Sequence, residues 1–293
     1  MSRTCFKVAF SLAACVVVLP VAAQKTERPW PQRVLITNDN GLGDAKIVAL
    51  ARAFAPHAET WVVAPSENRS GSTHYLSVTR LGQLRVEPRD LGSGIRAFAV
   101  DGFPADAVVL ALYGLMRDHL PDLVISGING GPNLAHDWLG SGTIGAARIA
   151  AYLGFPAIAV SGLDDDIPGA VAAATDWVVR LAQSQVTRNL EGGQYLTVSM
   201  PRVAPSAIRG VQVSPRAGLR IDVVFEAEEP SRMDSSRVWT IRVTPKASPP
   251  IQDTDQAYYD AGFIVVIPMR ADEHDDVLLR HLRIAGALPL WSR

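Results

Sequence analysis

Short apolar runs alternate with amphipathic stretches through the first two thirds of the chain. Arg33 to Thr37, Thr60 to Ala64, Ala97 to Val100, Leu123 to Ser126 and Ala157 to Ser161 are rich in β-branched or small apolar residues. That composition suits strands buried on both faces. From Leu42 onward, Ile47, Leu50, Ala51 and Phe54 share one helical face, and Pro104 opens a second helix, to about Arg117, with Ala107, Leu110, Ala111 and Leu115 aligned. Ile144 to Leu153 and Pro168 to Val186 read as two more helices. The alternation predicts an α/β fold with a largely buried sheet. From about Gly193 it gives way to successive strands, Tyr195 to Met200, Val211 to Val213, Arg220 to Phe225 and Val238 to Val243. They read as a β-rich excursion over about 195–250, compatible with self-association or with an ordinary surface hairpin. A short helix after Asp253-Thr254-Asp255, a strand at Phe263 to Ile267 and a helix from Asp276 to Ile284 complete the pattern.

The first residues stand outside it. Arg3 and Lys7 precede the mostly apolar Val8 to Val21, and Val21-Ala22-Ala23 offers a small-residue cleavage site. Residues 1–23 are therefore expected to be a secretory signal peptide, with a periplasmic or secreted mature chain. Leu12-Ala13-Ala14-Cys15 is the competing lipoprotein box, and Pro20 interrupts a run already short for a membrane span. Residues 24–32 read as a tether, leaving 33–293 for the α/β domain. Both cysteines, Cys5 and Cys15, fall in the leader, so the mature chain would use neither disulfides nor thiolates. Losing Arg3 and Lys7 takes the net charge from −1 to about −3, which does not suit a nucleic-acid surface.

The polar residues that carry chemistry gather where strands end. Asp39, Asn40 and Gly41 follow the first strand, the polar run Ser66 to His74 follows the second, and Gly127 to Asn133 follows the strand at Leu123. Loops at the carboxyl ends of strands are where open α/β sheets bind ligands, although Asp-Asn-Gly alone is also a plain turn. Ser141-Gly142-Thr143 opens a helix, and it reads either as a simple N-cap or as free amides for a phosphate. Nucleophile-elbow, phosphate-loop, zinc-helix and dinucleotide signatures are absent from the sequence. What remains is Asp39, Asn40, Ser70 and Asn129, a set of oxygen donors suited to a hard divalent cation such as magnesium or manganese. His74 and His136 could protonate a leaving alcohol. Arg69 could meet a phosphate or pair at the surface, Asp137 could hold the long loop, and Asp164-Asp165-Asp166 reads as a solvated acidic turn.

Thr37-Asn38-Asp39-Asn40-Gly41, Ala64-Pro65 with Asn68-Arg69-Ser70-Gly71, Gly102 with Pro104-Ala105-Asp106, Ser126 to Gly130 with Asn133-Leu134, and Ser141-Gly142-Thr143 occur in that order. Pro156 to Ser161 and Asp253-Thr254-Asp255 with Ala261-Gly262-Phe263 follow. Together they resemble the SurE family of metal-dependent nucleotidases. The resemblance implies a Rossmann-like three-layer α/β sandwich with a swapped C-terminal β element, a homodimer or tetramer, and hydrolysis of nucleoside 5′- or 3′-monophosphates. It places a magnesium or manganese ion on Asp39, Asn40, Ser70 and Asn129, with Asp39 catalytic. Substrate contacts fall on Asn68, Gly71, Asn133, Ser141, Gly142 and Thr143. The family pattern has two adjacent aspartates where this chain has Asp39-Asn40. A weakened descendant that binds a phosphate-bearing ligand without efficient turnover is the alternative.

Overall fold

A computed structural model describes residues 29–163, 166–227, 238–246 and 249–273, with four further positions up to 280. The leader, Asp164, Asp165 and most of the expected closing helix lie outside the described residues.

Strands β1 (Arg33–Thr37), β2 (Glu59–Pro65), β3 (Val86–Asp90), β4 (Arg96–Val100), β5 (Leu123–Ser126), β6 (Ala157–Ser161), β7 (Gln194–Ser199), β8 (Val211–Val213) and β11 (Ile264–Arg270) form one sheet. Its order is β3-β4-β2-β1-β5-β6-β7-β11-β8. The six strands from β4 to β7 run parallel. β3 and β11 join the two ends of that block in antiparallel fashion.

Side chains alternate across the strands, so each strand feeds two cores. Val34 and Ile36 of β1, with Ile125 and Ile158, pack under helices α1 (Ala45–Phe54) and α5 (Ala170–Gln183) through Ile47, Leu50, Phe54, Ala174 and Val178. Leu35, Val124 and Ala159 face helices α3 (Pro104–Leu110) and α4 (Gly142–Tyr152) through Val108, Ile144 and Ala147. The result is a three-layer α/β sandwich. Helix α1 begins where the Asp44 carboxylate caps the Lys46 amide at 2.7 Å. Helix α3 begins where Asp106 accepts the Phe103 amide at 2.9 Å, then widens into a broad turn over Ala111–Leu115. Three further short helices are α2 (Val78–Leu81), α6 (Gln185–Arg188) and α7 (Asp255–Asp260).

The chain moves from β1 outward to β2 on one side, then returns to place β5 on the other side of β1. That reversal opens a crevice at the carboxyl ends of β1 and β5, the usual ligand position in such sheets.

The expected excursion over about 195–250 is narrower in the structure. β7 and β8 belong to the main sheet, because Leu196 and Val198 have a core to enter. Among the described residues, β9 (Ile221–Ala227) and β10 (Trp239–Pro245) leave it, as an antiparallel ribbon. Its register puts Val223, Phe225, Trp239, Ile241 and Val243 on one face, all more than 40% exposed. The opposite face is mostly polar and carries an Arg242–Glu226 ion pair at 2.6 Å. No helix among the described residues is long and apolar enough to cross a membrane.

Candidate active site

The crevice is built from three loops. After β1, the Asn38 side chain bonds both the amide and the carbonyl of Gly41, folding Asp39-Asn40 into a tight turn. The loop after β2 is tied to that turn by the Arg69 amide, which donates to the Asp39 carbonyl at 2.7 Å. Within it, the Asn68 side chain accepts the Ser70 amide at 2.8 Å and leaves Ser70 exposed. The loop after β5 is anchored where the Asn129 amide donates to Val160 at 3.0 Å and its carbonyl accepts from Leu163.

Asp39 is the centre of the arrangement and only 3% exposed. Its Oδ1 accepts the Thr143 hydroxyl at 2.6 Å, and its Oδ2 accepts the Thr143 amide at 3.1 Å. Burial raises its pKa above the usual carboxylate value, and the Thr143 bonds oppose that shift. Close approach makes this possible: a Cβ on Gly142 would lie 2.8 Å from both the Asp39 Cβ and the Ser72 hydroxyl. The expectation of free amides at this helix entry therefore meets a different arrangement. The Asp39 carboxylate takes the Thr143 amide, and the Ser141 hydroxyl takes that of Ile144. A buried carboxylate at a helix N-terminus gains from the dipole what the same site would offer a phosphate.

The donor set fits a hard cation. The Asn40 Oδ1 is buried and has no hydrogen-bond partner. Asn129 spends its Nδ2 on the Gly131 carbonyl at 2.7 Å, which leaves its Oδ1 as the open acceptor. With the Asp39 carboxylate and the Ser70 hydroxyl, these are oxygen ligands of the kind magnesium and manganese take. Among the described residues, no group of three or more His, Cys, Asp or Glu side chains could hold a metal, so a cation here would rest on one carboxylate and neutral oxygens.

Other candidates have found protein partners. The Asn133 amide donates to the Ser161 hydroxyl at 2.6 Å, and its carbonyl accepts from Arg216. Arg69 pairs with Glu67 at 2.7 Å and lies over the Phe103 ring. Asp166 pairs with Arg202 at 2.6 Å. His74 lines a cavity of about 210 Å³ with Arg148, Ile149, Tyr152 and Ala271, none of them a candidate ligand. Burial, then Arg148, pushes its pKa down. His136 stays on the Asn129 loop, with Nε2 3.2 Å from Asp137 and Nδ1 buried without a partner. Gly71 is exposed, with φ of 80°.

Three hydroxyls lie inside the motifs read from the sequence but received no role there. Thr37 Oγ1, Ser72 Oγ and Ser126 Oγ are buried without partners, at the ends of β1 and β5 and in the second loop. Buried polar atoms are ordinarily paired. Thr37 and Ser126 are paired residues in the β1–β5 register, a relation that neither segment shows alone. Arg216 and Asp255 also received no role from the sequence, apart from Asp255's place in the resemblance. Burial pushes the Arg216 pKa down, while Asp255, Tyr195 and Asp137 hold it up.

A family model described as survival protein SurE matches residues 34–221. The chain belongs to the SurE family. It is 35% identical over 266 residues to a 5′-nucleotidase SurE of Cereibacter sphaeroides, covering 86% of this chain and 97% of that one. A 5′/3′-nucleotidase SurE of Edwardsiella ictaluri is 38% identical over 242 residues, 82% of this chain and 90% of its own. The crystal structure of the SurE protein from Aquifex aeolicus superposes with a TM-score of 0.70 at 27% identity, covering 87% of this chain and 99% of that one.

Proposed function

We propose that this SurE-family chain is a divalent-metal-dependent phosphomonoesterase that converts nucleoside 5′- or 3′-monophosphates to nucleoside and phosphate. The observation that carries the reading is Asp39, held by Thr143 beside an unpartnered Asn40 oxygen in the crevice between β1 and β5. Asp39, Asn40, Ser70 and Asn129 would hold magnesium or manganese, which when bound polarises a phosphoryl oxygen and acidifies water. Thr143 keeps the Asp39 carboxylate fixed, so the site has little reorganisation to undergo when the reaction proceeds. Of the two histidines, His136 is placed on the Asn129 loop and is the candidate proton donor to the leaving alcohol. Phosphate release from a nucleotide panel, with magnesium or manganese and with chelator, tests the reading. Release with metal and none with chelator is expected; no metal-dependent release from any phosphoester overturns it.

A second reading is favoured by the single carboxylate at the site. With an amide at residue 40, the cleft would bind a phosphate-bearing ligand without efficient turnover. Calorimetry showing binding by a chain that releases no phosphate, and activity gained in Asn40→Asp, would support it.

The mature chain is proposed to act in the periplasm or outside the cell after cleavage following Ala23. An intact mass beginning at Gln24 supports this, whereas a lipid-modified Cys15 would replace it with the lipoprotein reading. Assembly into a homodimer or tetramer is proposed through the apolar face of the β9–β10 ribbon. Such a ribbon buries little by itself and exposes a surface suited to pairing.

A further inference from the structure

A polar corner at the foot of the β9–β10 ribbon touches the loop that carries Asn129. Asp255, at the start of α7, is fully buried. Its Oδ2 accepts the Ala135 amide at 2.8 Å, and its Oδ1 accepts the amides of Ala217 at 2.6 Å and Gln256 at 2.8 Å. Its own amide donates to the Pro215 carbonyl at 3.0 Å. Arg216, between those two contacts, donates through Nη1 to the Asn133 carbonyl at 3.0 Å and through Nη2 to the Thr197 hydroxyl at 2.9 Å. Its guanidinium carbon lies 5.6 Å above the Trp138 ring. Ala135 has φ of 45°, a left-handed conformation that a non-glycine residue keeps only where its surroundings over-determine it. Four positions after Arg216, the Arg220 carbonyl accepts the Lys246 amide at 2.9 Å, which closes the foot of the ribbon.

We infer that Arg216 and Asp255 are positioning residues, which set the 133–138 segment from the ribbon's foot and with it His136, the candidate proton donor, whose neighbours Ala135 and Trp138 they hold. The inference rests on the phosphomonoesterase reading above. The planar guanidinium suits this task because it spans two acceptors in fixed directions while packing on an indole face. The opposite end of the loop is held independently, by Val160 and Leu163 at Asn129 and by the Ser161 hydroxyl at Asn133. Loss of the corner therefore loosens 133–138 and leaves β5 and β6 in place.

The test compares the full mature chain with Arg216→Met and Arg216→Lys, by hydrogen exchange of peptides covering 127–139, manganese affinity, and separate kcat and KM. In Arg216→Met, exchange should quicken within 133–138 and not within 127–131, manganese affinity should be unchanged, and kcat should fall more than KM rises. Arg216→Lys should recover part of each change, since an ammonium can satisfy one of the two acceptors. A lower melting temperature with unchanged local exchange and unchanged kcat overturns the inference. If Arg216→Met does not fold, Thr197→Val, which removes only the Nη2 acceptor, must show the same local loosening; its absence there overturns the inference equally. Should the wild-type chain release no phosphate, the phosphomonoesterase reading falls, and local exchange alone then decides whether the corner sets the segment.

Discussion

At the scale of single residues, the site turns on whether a buried polar atom has a partner. Asn40 presents a buried Oδ1 without one, and Asn40→Asp would place a second carboxylate beside the buried Asp39. Without metal, two neighbouring carboxylates repel, so the variant should melt at lower temperature in chelator. With manganese the added charge should tighten binding by on the order of tenfold, because ligand charge tunes cation affinity. Calorimetry and melting curves with and without chelator read both effects, and an unchanged affinity would show that residue 40 does not reach the ion. Ser72 differs, since its hydroxyl has no protein partner to lose. Ser72→Ala should keep or raise the melting temperature, because removing an unsatisfied buried hydroxyl is close to neutral or favourable. It should also weaken inhibition by inorganic phosphate several-fold, the value of one hydrogen bond of about 1 kcal/mol. Equal inhibition in both proteins would exclude Ser72 from the anion site. The Asp-Asn-Gly turn was legible as a turn because Asn38 and Gly41 are neighbours in the chain. Thr143's grip on Asp39 was not, because the two residues are 104 positions apart.

At the scale of elements, α4 is the piece on which the site depends. Its first turn holds Asp39, and its second presses against the loop after β2: a Cβ on Gly145 would overlap the Thr73 carbonyl. Ala is the better helix former by about 1 kcal/mol, yet Gly145→Ala should destabilise the chain by about 1–3 kcal/mol, the usual cost of overpacking. It should also displace Ser70 and Ser72, which precede Thr73 in the same loop. Urea unfolding measures the first effect, and a gain in stability would refute the contact. The small-residue character of residues 144–153 was legible as helix; its meaning as a close approach was not. Nothing in Gly-Ala-Ala names the backbone it touches.

At the scale of the whole molecule, the ribbon is an element whose apolar face is left uncovered among the described residues. Phe225 and Ile241 face each other in its register and are 57% and 58% exposed. Replacing both with Glu should abolish the self-association proposed above while leaving the sandwich intact, because neither residue enters either core. Sedimentation velocity should then report a smaller species with an unchanged melting transition; an assembly of unchanged size would move the contact elsewhere. The sequence by itself determined the strand and helix faces, since residue spacing of two and of 3.6 decides which side chains share a side. It also determined that the polar loops leave strand ends, and it carried the resemblance to the SurE family, to which the chain belongs. Only the tertiary structure decided that β7 and β8 join the main sheet while β9 and β10 leave it. The structure alone also decided that Asp39 occupies the entry of α4, and that Arg216 and Asp255 reach the Asn129 loop. Strand membership and hydrogen-bond partners depend on which distant segments the sheet order brings together, and local spacing carries no record of that.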